Sequence, residues 1–539
     1  MTDVDTVVIG SGIGGLTAAL ALARAGERVL VVEQHYLPGG WCHSFDLEGY
    51  TFSPGVHYIG DLAPGGRLRA VFEGLGVANE LPFLELNPDG FDHVRIDQPG
   101  GAPFTFDIPR GKDRFAERLA ARFPRDADGI RRFLDLLAAM SRELAGGLRV
   151  DGVKSALTLP FKIPTLARYG LRPLSSMVQR FVSDPLARAV LTVQAGDHGM
   201  PPSRCPTALH AAVVAHYFDG GYYPKGGARS LPKAFVRALK RHGGEIRVRA
   251  RVDRILVEGG RALGVRLADG TEIRARRVVS NADPHATFSC VAPEHLPRRV
   301  ARALDRTPYS ISAISLFLAA EVDPRSLGLD SGNVWSLTSP DVEETYRYAA
   351  DPDPLARGPV PGAFLTTTTC KDPGKRRDGV ATFESFTFVS SAAFDRFARS
   401  EHGDREPGYE ALKGALADRI LDRIDTIAPG LRERLVFQAV GTPLTNRFYV
   451  GSTRGNLYGI EKNTRQIGPF GYPIRTGIDG LFMCGASTLG HGVAGASFSG
   501  LAVARAALGV STSELLTATG QSLSISPCEP AREAALHVA

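Results

Sequence analysis

Cysteine is scarce in this sequence, and its distribution excludes two classes of cross-linked fold. The 539 residues include six cysteines, which lie far apart and form no Cys-x-x-Cys pair. Neither a zinc ribbon nor a disulfide framework is therefore expected, and a reducing compartment fits better. The N-terminal segment "MTDVDTVVIG" also lacks the basic residues and the long apolar run of a secretory signal. We expect a cytoplasmic protein.

Blocks of lysine and arginine of the kind that bind nucleic acid are also missing. The net charge of +6 is mild for this length, and an anionic cofactor or an anionic membrane surface would explain it as well as RNA. We expect no nucleic-acid partner. The length suits two or three structural units, and 43% apolar residues suffice for a sizeable core.

One long run without formal charge, residues 480–504, has the length of a membrane span. It contains six glycines, four serine or threonine residues and His491. Glycines at this density indicate backbone that lies close to a ligand. The segment therefore predicts buried backbone around a ligand, followed by a helix.

The N-terminal segment reads as a strand, a helix and a second strand. Gly10, Gly12 and Gly15 fit the G-x-G-x-x-G fingerprint of dinucleotide-binding proteins, with Gly14 inside it. The strand "VDTVVIG" precedes the motif, an alanine-rich helix follows it, and Glu33 ends the next strand. Gly12 lets pyrophosphate approach the backbone, Gly15 lets the helix pack on the sheet, and Glu33 can accept hydrogen bonds from the ribose.

Further blocks carry a resemblance to a known family. Gly39 and Gly40 resemble the continuation of the FAD site in glutathione-reductase-type proteins. Residues 222–235, 278–284, 442–466 and 480–504 resemble the blocks of the phytoene desaturase superfamily of FAD-dependent oxidoreductases. "EQHYLPGGWCHSF" and "GVHYIG" are most similar to the branch that contains carotenoid isomerases and all-trans-retinol 13,14-reductases (retinol saturases).

The resemblance implies an α/β fold with a discontinuous Rossmann FAD-binding domain of the glutathione-reductase type. This domain is expected to comprise residues 1–70, 222–300 and 435–510. An inserted α+β substrate-binding domain would comprise residues 71–221 and 301–434. A loosely ordered tail would follow at 511–539, because this segment is rich in serine, threonine and alanine.

The same resemblance assigns FAD as the cofactor and predicts which residues hold it. The final block would place a helix after Gly495, with its N-terminus directed at the flavin ring. Ala486 stands where many FAD proteins have an acidic residue. Besides the fingerprint residues and Glu33, the predicted contacts are Gln34, Gly39, Gly40, Trp41, Val252, Gly485, Ala486 and Gly495.

Three histidines and a cysteine cluster in residues 35–57, which raises the question of a metal site. His35, Cys42, His43 and His57 lack the paired spacing of metal ligands on one helix, so we expect no metal. This segment would instead lie along the flavin and the substrate. The candidates for proton transfer or for the wall of the site are His57, Tyr58 and His491.

Residues 152–183 contain five basic residues, no acidic residue, and interleaved apolar and aromatic side chains. Such a composition suits a helical region that lies on anionic lipid. The alternative is a lid with an arginine-rich face. A peripheral position on the inner face of the membrane is therefore one expectation for this protein.

Together these features predict an FAD-dependent oxidoreductase that saturates, desaturates or isomerises double bonds of a long apolar polyene or isoprenoid-like lipid. Hydride would move between flavin N5 and a substrate carbon. The electron donor or acceptor is not identified by the sequence. Two alternatives stay open: a flavin amine oxidase that acts on a small substrate, and a non-catalytic carrier of prenyl lipid.

Overall fold

The computed structural model describes residues 3–146, 161–377 and 379–528. The first of its sheets includes the N-terminal strand. The strands of this sheet are β1 (Val4–Ile9), β2 (Val29–Val32), β9 (Glu245–Arg247), β10 (Val252–Glu258), β11 (Arg261–Leu267), β12 (Glu272–Ser280) and β18 (Leu481–Met483). Five of them run parallel in the order β9-β2-β1-β12-β18. The antiparallel strands β10 and β11 extend the sheet from the first half of β12.

Helix α1 (Ile13–Arg24) is buried along almost its whole length, because alanine and glycine let neighbouring helices approach closely. Helices α9 (Ser230–Arg241) and α16 (Gly492–Leu508) pack against it. A Cβ on Gly500 of α16 would lie 2.1 Å from the carbonyl oxygen of Gly14. The final block of the sequence is thereby held against the fingerprint.

A second seven-stranded sheet lies beyond the first. Its strands are β6 (Asp92–Ile96), β7 (Phe104–Ile108), β13 (Ser312–Glu321), β14 (Asn333–Leu337), β15 (Gly362–Thr367), β16 (Val380–Val389) and β17 (Leu435–Gly441). Their order is β17-β13-β16-β15-β14-β6-β7, and only the β14–β6 pair is parallel. Two smaller sheets consist of β3 (Phe45–Leu47) with β4 (Tyr50–Phe52), and of β5 (Phe83–Glu85), β8 (Tyr222–Pro224) and β19 (Ile525–Pro527).

A helical layer packs against β6 and β7 in one hydrophobic cluster. Its longest member, α4 (Ala127–Ala145), buries Ile130, Phe133, Leu137 and Met140 at helical spacing. The remaining helices are α2 (Arg67–Gly74), α3 (Lys112–Arg122), α5 (Pro164–Tyr169), α6 (Leu174–Phe181), α7 (Pro185–Thr192), α8 (Thr207–His216), α10 (Pro284–Ser289), α11 (Arg298–Leu304), α12 (Glu343–Ala349), α13 (Thr368–Lys371), α14 (Pro407–Ile427), α15 (Pro443–Val450) and α17 (Thr512–Leu515).

The structure differs from the sequence-based expectations in three places. The tail expected at 511–539 contains α17 and β19, and β19 pairs with β5. The helix of the final block begins at Gly492, so Gly495 lies within its first turn. Strand β17, which the predicted boundaries place in the FAD-binding domain, pairs with β13 of the second sheet.

The long uncharged run at 480–504 forms β18, a glycine-rich loop and most of α16. Within the described ranges, no helix combines the length and apolar character needed to cross a membrane. In the basic region at 152–183, residues 152–160 lie outside the described residues. The rest of the region contains α5 and α6.

Candidate active site

A large cavity opens where the parallel strands of the first sheet end. Its volume is about 1380 Å³, which exceeds the usual range of about 300–1,000 Å³ for a small-molecule pocket. The cavity is lined by the first residue after each of β1, β2 and β12, namely Gly10, Glu33 and Asn281. Ligands of open α/β sheets bind at this edge. The volume suits a dinucleotide together with a second ligand.

The fingerprint glycines bring three chain segments together at this edge. A Cβ on Gly12 would lie 2.5 Å from Asn281 Nδ2, and one on Gly14 would lie 2.7 Å from Asn281 Oδ1. Both glycines line the cavity. Gly15 instead faces the carbonyl oxygen of Gly10, which a Cβ would approach to 2.3 Å. Gly15 therefore shapes the turn from outside the cavity wall.

Glu33 holds the second loop of the cavity in place. Its carboxylate is buried and accepts hydrogen bonds from Ser11 N (2.9 Å), Ser11 Oγ (2.5 Å) and His35 N (2.8 Å). Gly39 N donates to the same Ser11 hydroxyl at 3.1 Å. These bonds fix the loop whose residues Gln34, Gly39, Gly40 and Trp41 line the cavity.

The final block supplies the opposite wall. Gly485 has a φ of +91°, and a Cβ there would lie 2.8 Å from Asn281 Oδ1. Ala486, Gly495 and Val252, at the start of β10, also line the cavity. No side chain caps the first turn of α16, so its free N–H groups can receive an anionic or electron-rich group.

These features fit FAD. The glycines leave room for pyrophosphate, Glu33 retains lone pairs for ribose hydroxyls, and the uncapped start of α16 suits the electron-rich end of the flavin. Except for Gly15, every predicted cofactor residue lines the cavity. We retain these residues as proposed FAD contacts.

His57, Tyr58 and His491 also line the cavity, but their surroundings differ. The Nδ1 atom of His57 lies 3.0 Å from Glu384 Oε2, and the ring packs against Phe364. Burial and the nearby Lys462 lower the pKa of His491 to about 3, so its ring stays neutral. His491 therefore suits the wall of the cavity and cannot donate a proton as an imidazolium near neutral pH.

Tyr58 leads into a buried polar cluster that the sequence does not reveal. Its hydroxyl lies 3.0 Å from Asp92 and 2.6 Å from Asp197. Lys371 Nζ donates to His57 O and to Asn333 Oδ1, both at 2.6 Å. Burial lowers the pKa of this lysine to about 7. Only the fold brings these residues, which are far apart in sequence, to one place.

Asn281, Asp197, Lys371 and Glu384 were not singled out by the sequence analysis. Asn281 lies inside the recognisable block 278–284, where its position after β12 was the available signal. The other three lie in segments without a recognisable motif. In the described part of the chain, no three histidine, cysteine, aspartate or glutamate side chains are arranged to hold a metal.

A parallel α/β sheet with a glycine-lined dinucleotide cradle that opens into a large cavity defines a dinucleotide-binding protein. The sequence matches the family described as flavin containing amine oxidoreductase over residues 13–368. The chain belongs to this family and is an FAD-dependent oxidoreductase. This membership removes the support for a non-catalytic carrier.

Individual relatives cover most of the chain. The sequence is 29% identical to all-trans-retinol 13,14-reductase of Danio rerio, covering 92% of this chain and 84% of the relative. It is 28% identical to chloroplastic prolycopene isomerase of Arabidopsis thaliana, covering 92% and 81%. An oxidoreductase from Methanosarcina mazei has a similar fold, with a TM-score of 0.64, 19% identity, and 93% and 99% coverage.

Proposed function

We propose that this FAD-dependent oxidoreductase saturates, desaturates or isomerises carbon–carbon double bonds of a long apolar polyene. One observation carries the proposal: the dinucleotide cradle continues without interruption into an apolar chamber. Its wall includes Leu144 at the end of α4, Leu209 and Val213 on α8, and Ile467. The two relatives named for a retinol reductase and a prolycopene isomerase support the same substrate class.

FAD supplies hydride chemistry when it is bound. The chain contributes an apolar wall that excludes water and positions the double bond. Phe364 and Phe386 stack with ring centres 4.9 Å apart, and both line the cavity beside His57. Glu384 orients the His57 imidazole, so a proton-transfer role for this ring is part of the proposal.

The experiment is a single-turnover assay with purified holoenzyme. The protein is reduced with dithionite without oxygen and mixed with all-trans-retinol or with prolycopene. Chromatography and mass spectrometry then distinguish a product with two added hydrogens from an isomer of unchanged mass. Desaturation is assayed with oxidised enzyme and a saturated substrate. If none of these substrates changes while FAD remains bound, the proposal is wrong.

Amine oxidation is the second candidate, and one observation favours it. Asp197 lines the cavity beside Tyr217 and Tyr458, and a carboxyl group among aromatic rings could bind an alkylammonium group, whose positive charge would favour ionisation of the carboxyl group. The same purified enzyme is therefore tested with short alkyl diamines and oxygen. Formation of hydrogen peroxide with these amines, and no reaction with polyenes, would decide for this candidate.

We also propose that α5 and α6 contact an anionic membrane. Phe161 and Leu171 are 85% and 52% exposed, and Lys162, Arg168 and Arg172 beside them are exposed as well. Glu143 at the end of α4 accepts hydrogen bonds from Thr165 N and Leu166 N. This region is therefore attached next to Leu144, where the cavity wall reaches α4.

Binding to phosphatidylserine vesicles tests this contact. Replacing Lys162, Arg168 and Arg172 together by glutamine should weaken sedimentation with the vesicles, because each basic residue contributes about 1 kcal/mol at such a surface. A matched control replaces Arg298, Arg299 and Arg302, which are exposed on α11, and should bind as wild type does. Equal binding by both variants would contradict the proposal.

A further inference from the structure

Two carboxyl groups meet one phenol at the cavity wall, and the hydrogens available constrain their charges. Tyr58 Oη lies 2.6 Å from Asp197 Oδ2 and 3.0 Å from Asp92 Oδ2. A phenol carries one hydrogen, and an ionised carboxylate carries none. Two separate two-centre hydrogen bonds at these distances require that one carboxyl group supply a second hydrogen.

The surrounding donors show which carboxyl group carries that hydrogen. Asp92 accepts hydrogen bonds from Gln194 Nε2 and Asn333 Nδ2, both at 2.9 Å, and such bonds stabilise an ionised carboxylate. Among the described residues, Tyr58 is the single side-chain partner of Asp197. The consistent arrangement has Asp197 donating to Tyr58, and Tyr58 donating to ionised Asp92.

The surroundings of Asp197 as a whole disfavour its ionisation, although the hydrogen bond with Tyr58 acts in the opposite direction. Burial and the neighbouring Asp92 carboxylate raise the pKa of Asp197 well above its ordinary value. Burial, with the three side-chain hydrogen bonds opposing it, raises the pKa of Asp92 to about 6. Within the described ranges, Asp197 also interacts with groups that are uncharged near neutral pH, among them Tyr58, Tyr217, Tyr346, Tyr458 and His491.

The cation of this cluster acts on the other carboxyl group. Lys371 Nζ donates to Asn333 Oδ1, and its charge lowers the pKa of Asp92. Tyr217 stacks on Tyr58, with ring centres 4.3 Å apart and 11° between the planes, and fixes the phenol between the two acids. Asp197, Tyr58 and Tyr217 all line the cavity. The carboxyl group that carries the proton, that of Asp197, therefore faces a ligand in that cavity.

We propose that the carboxyl group of Asp197 is the proton donor to the polyene. The inference rests on the proposed function. In saturation, reduced FAD would supply a hydride, with its two electrons, to one carbon, and Asp197 would give its proton to the neighbouring carbon. Two C–H bonds replace the π bond and the cofactor is left oxidised. A two-electron reductant, dithionite in the test, has reduced it beforehand.

Once Asp197 has lost its proton, the Tyr58 hydroxyl can turn to donate to it instead of to Asp92, which keeps its bonds from Gln194 and Asn333. Water restores the proton of Asp197 after the product leaves. In the reverse direction the same carboxylate would accept the proton of a desaturation step. Tyr58 is then a positioning residue, because it acts through Asp197. This assignment gives a chemical role to Asp197, which lies in the segment "QAGDHG" without a recognisable motif.

The test uses Asp197→Asn, which preserves shape and an acceptor for Tyr58. Redox-induced infrared difference spectroscopy of the holoenzyme should show a protonated carboxyl band in wild type that the variant lacks. Single-turnover saturation after dithionite reduction should slow by about 10²–10⁴-fold, with unchanged FAD content. In wild type reduced and run in D₂O, the flavin N5 hydrogen and the carboxyl proton both exchange with solvent, so two deuterium atoms should enter the product, one on each carbon of the former double bond. Asp113→Asn, at an exposed ion pair on α3, is the matched control.

Tyr58→Phe provides a second variant that retains the Asp197 carboxyl group. Its carboxyl band should shift to higher frequency, because the hydrogen bond to the phenol is lost. A fully active Asp197→Asn enzyme, or an identical carboxyl band in that variant, would overturn the inference. Loss of turnover in His57→Phe with normal turnover in Asp197→Asn would assign the proton to the imidazole instead.

The failure of the proposed function has a different signature. In that case wild type leaves every polyene unchanged, whereas the infrared band still reports whether Asp197 carries a proton. If wild type reduces polyenes but its Asp197 is ionised, the inference about Asp197 is wrong and the proposed function stands.

Discussion

The contact between His57 and Glu384 allows a quantitative test of how the cavity wall is built. Glu384 on β16 is 1% exposed, and its Oε2 atom lies 3.0 Å from His57 Nδ1. Its other oxygen accepts a hydrogen bond from Ser53 N at 2.6 Å. His57→Phe would leave Oε2 without its partner, while the new ring can still pack against Phe364 and Phe386, now 5.0 and 5.9 Å from the imidazole.

Leaving a buried polar group without its hydrogen-bond partner costs about 1–3 kcal/mol, and more when that group is charged. The Ser53 bond and the nearby Lys371 remain, so we expect the free energy of unfolding to fall by about 3 kcal/mol, the upper end of that range. Glu384→Gln removes the charge but keeps hydrogen-bonding atoms in place, and should cost about 1 kcal/mol. In the double variant no unpaired carboxylate remains.

The assay is urea unfolding of the FAD-saturated proteins, followed by tryptophan fluorescence. Trp335 reports on this region, because its ring centre lies 4.8 Å from that of Phe364. The double variant should be more stable than the sum of the single effects predicts, by about 1–3 kcal/mol. Single effects that add within about 0.5 kcal/mol would show that the pair contributes no coupling and would refute this reasoning.

The remaining predictions concern the cradle, a charged contact and a helix end. Gly12→Val would push against Asn281 Nδ2 and should abolish FAD retention, measured by absorbance after gel filtration, whereas Gly101→Val in open space should stay yellow. For His93, burial lowers the pKa, but Asp107 and Asp330 outweigh it and raise the value to about 10. Its stabilising effect is full below about pH 6.5, the pKa of histidine in the unfolded chain, and is lost as the pH rises from there to about 10, the pKa in the folded protein. His93→Gln should therefore flatten the alkaline decline of the urea midpoint. Asp184 accepts hydrogen bonds from Leu186 N and Ala187 N at the start of α7, and Asp184→Ala should cost about 1 kcal/mol by urea unfolding; no loss would contradict its capping role.

The sequence alone determined the dinucleotide cradle, because all its requirements are local. A buried strand, three spaced glycines, an alanine-rich helix and a terminal carboxylate follow one another within residues 4–33. Steric limits at Gly12 and Gly15 then leave little freedom in how the turn is built. The glycine-rich loop and helix at 480–504 were predictable for the same reason, although the first residue of the helix was not.

The chemistry of the cavity was decided by the tertiary structure. His57 and Tyr58 are adjacent in sequence, yet one contacts Glu384, 327 residues away, and the other contacts Asp197, 139 residues away. No periodicity or motif connects such positions. Whether a carboxyl group holds a proton depends on burial and on the donors that surround it, and for Asp197 both arise only when the strands and helices from distant parts of the chain pack together.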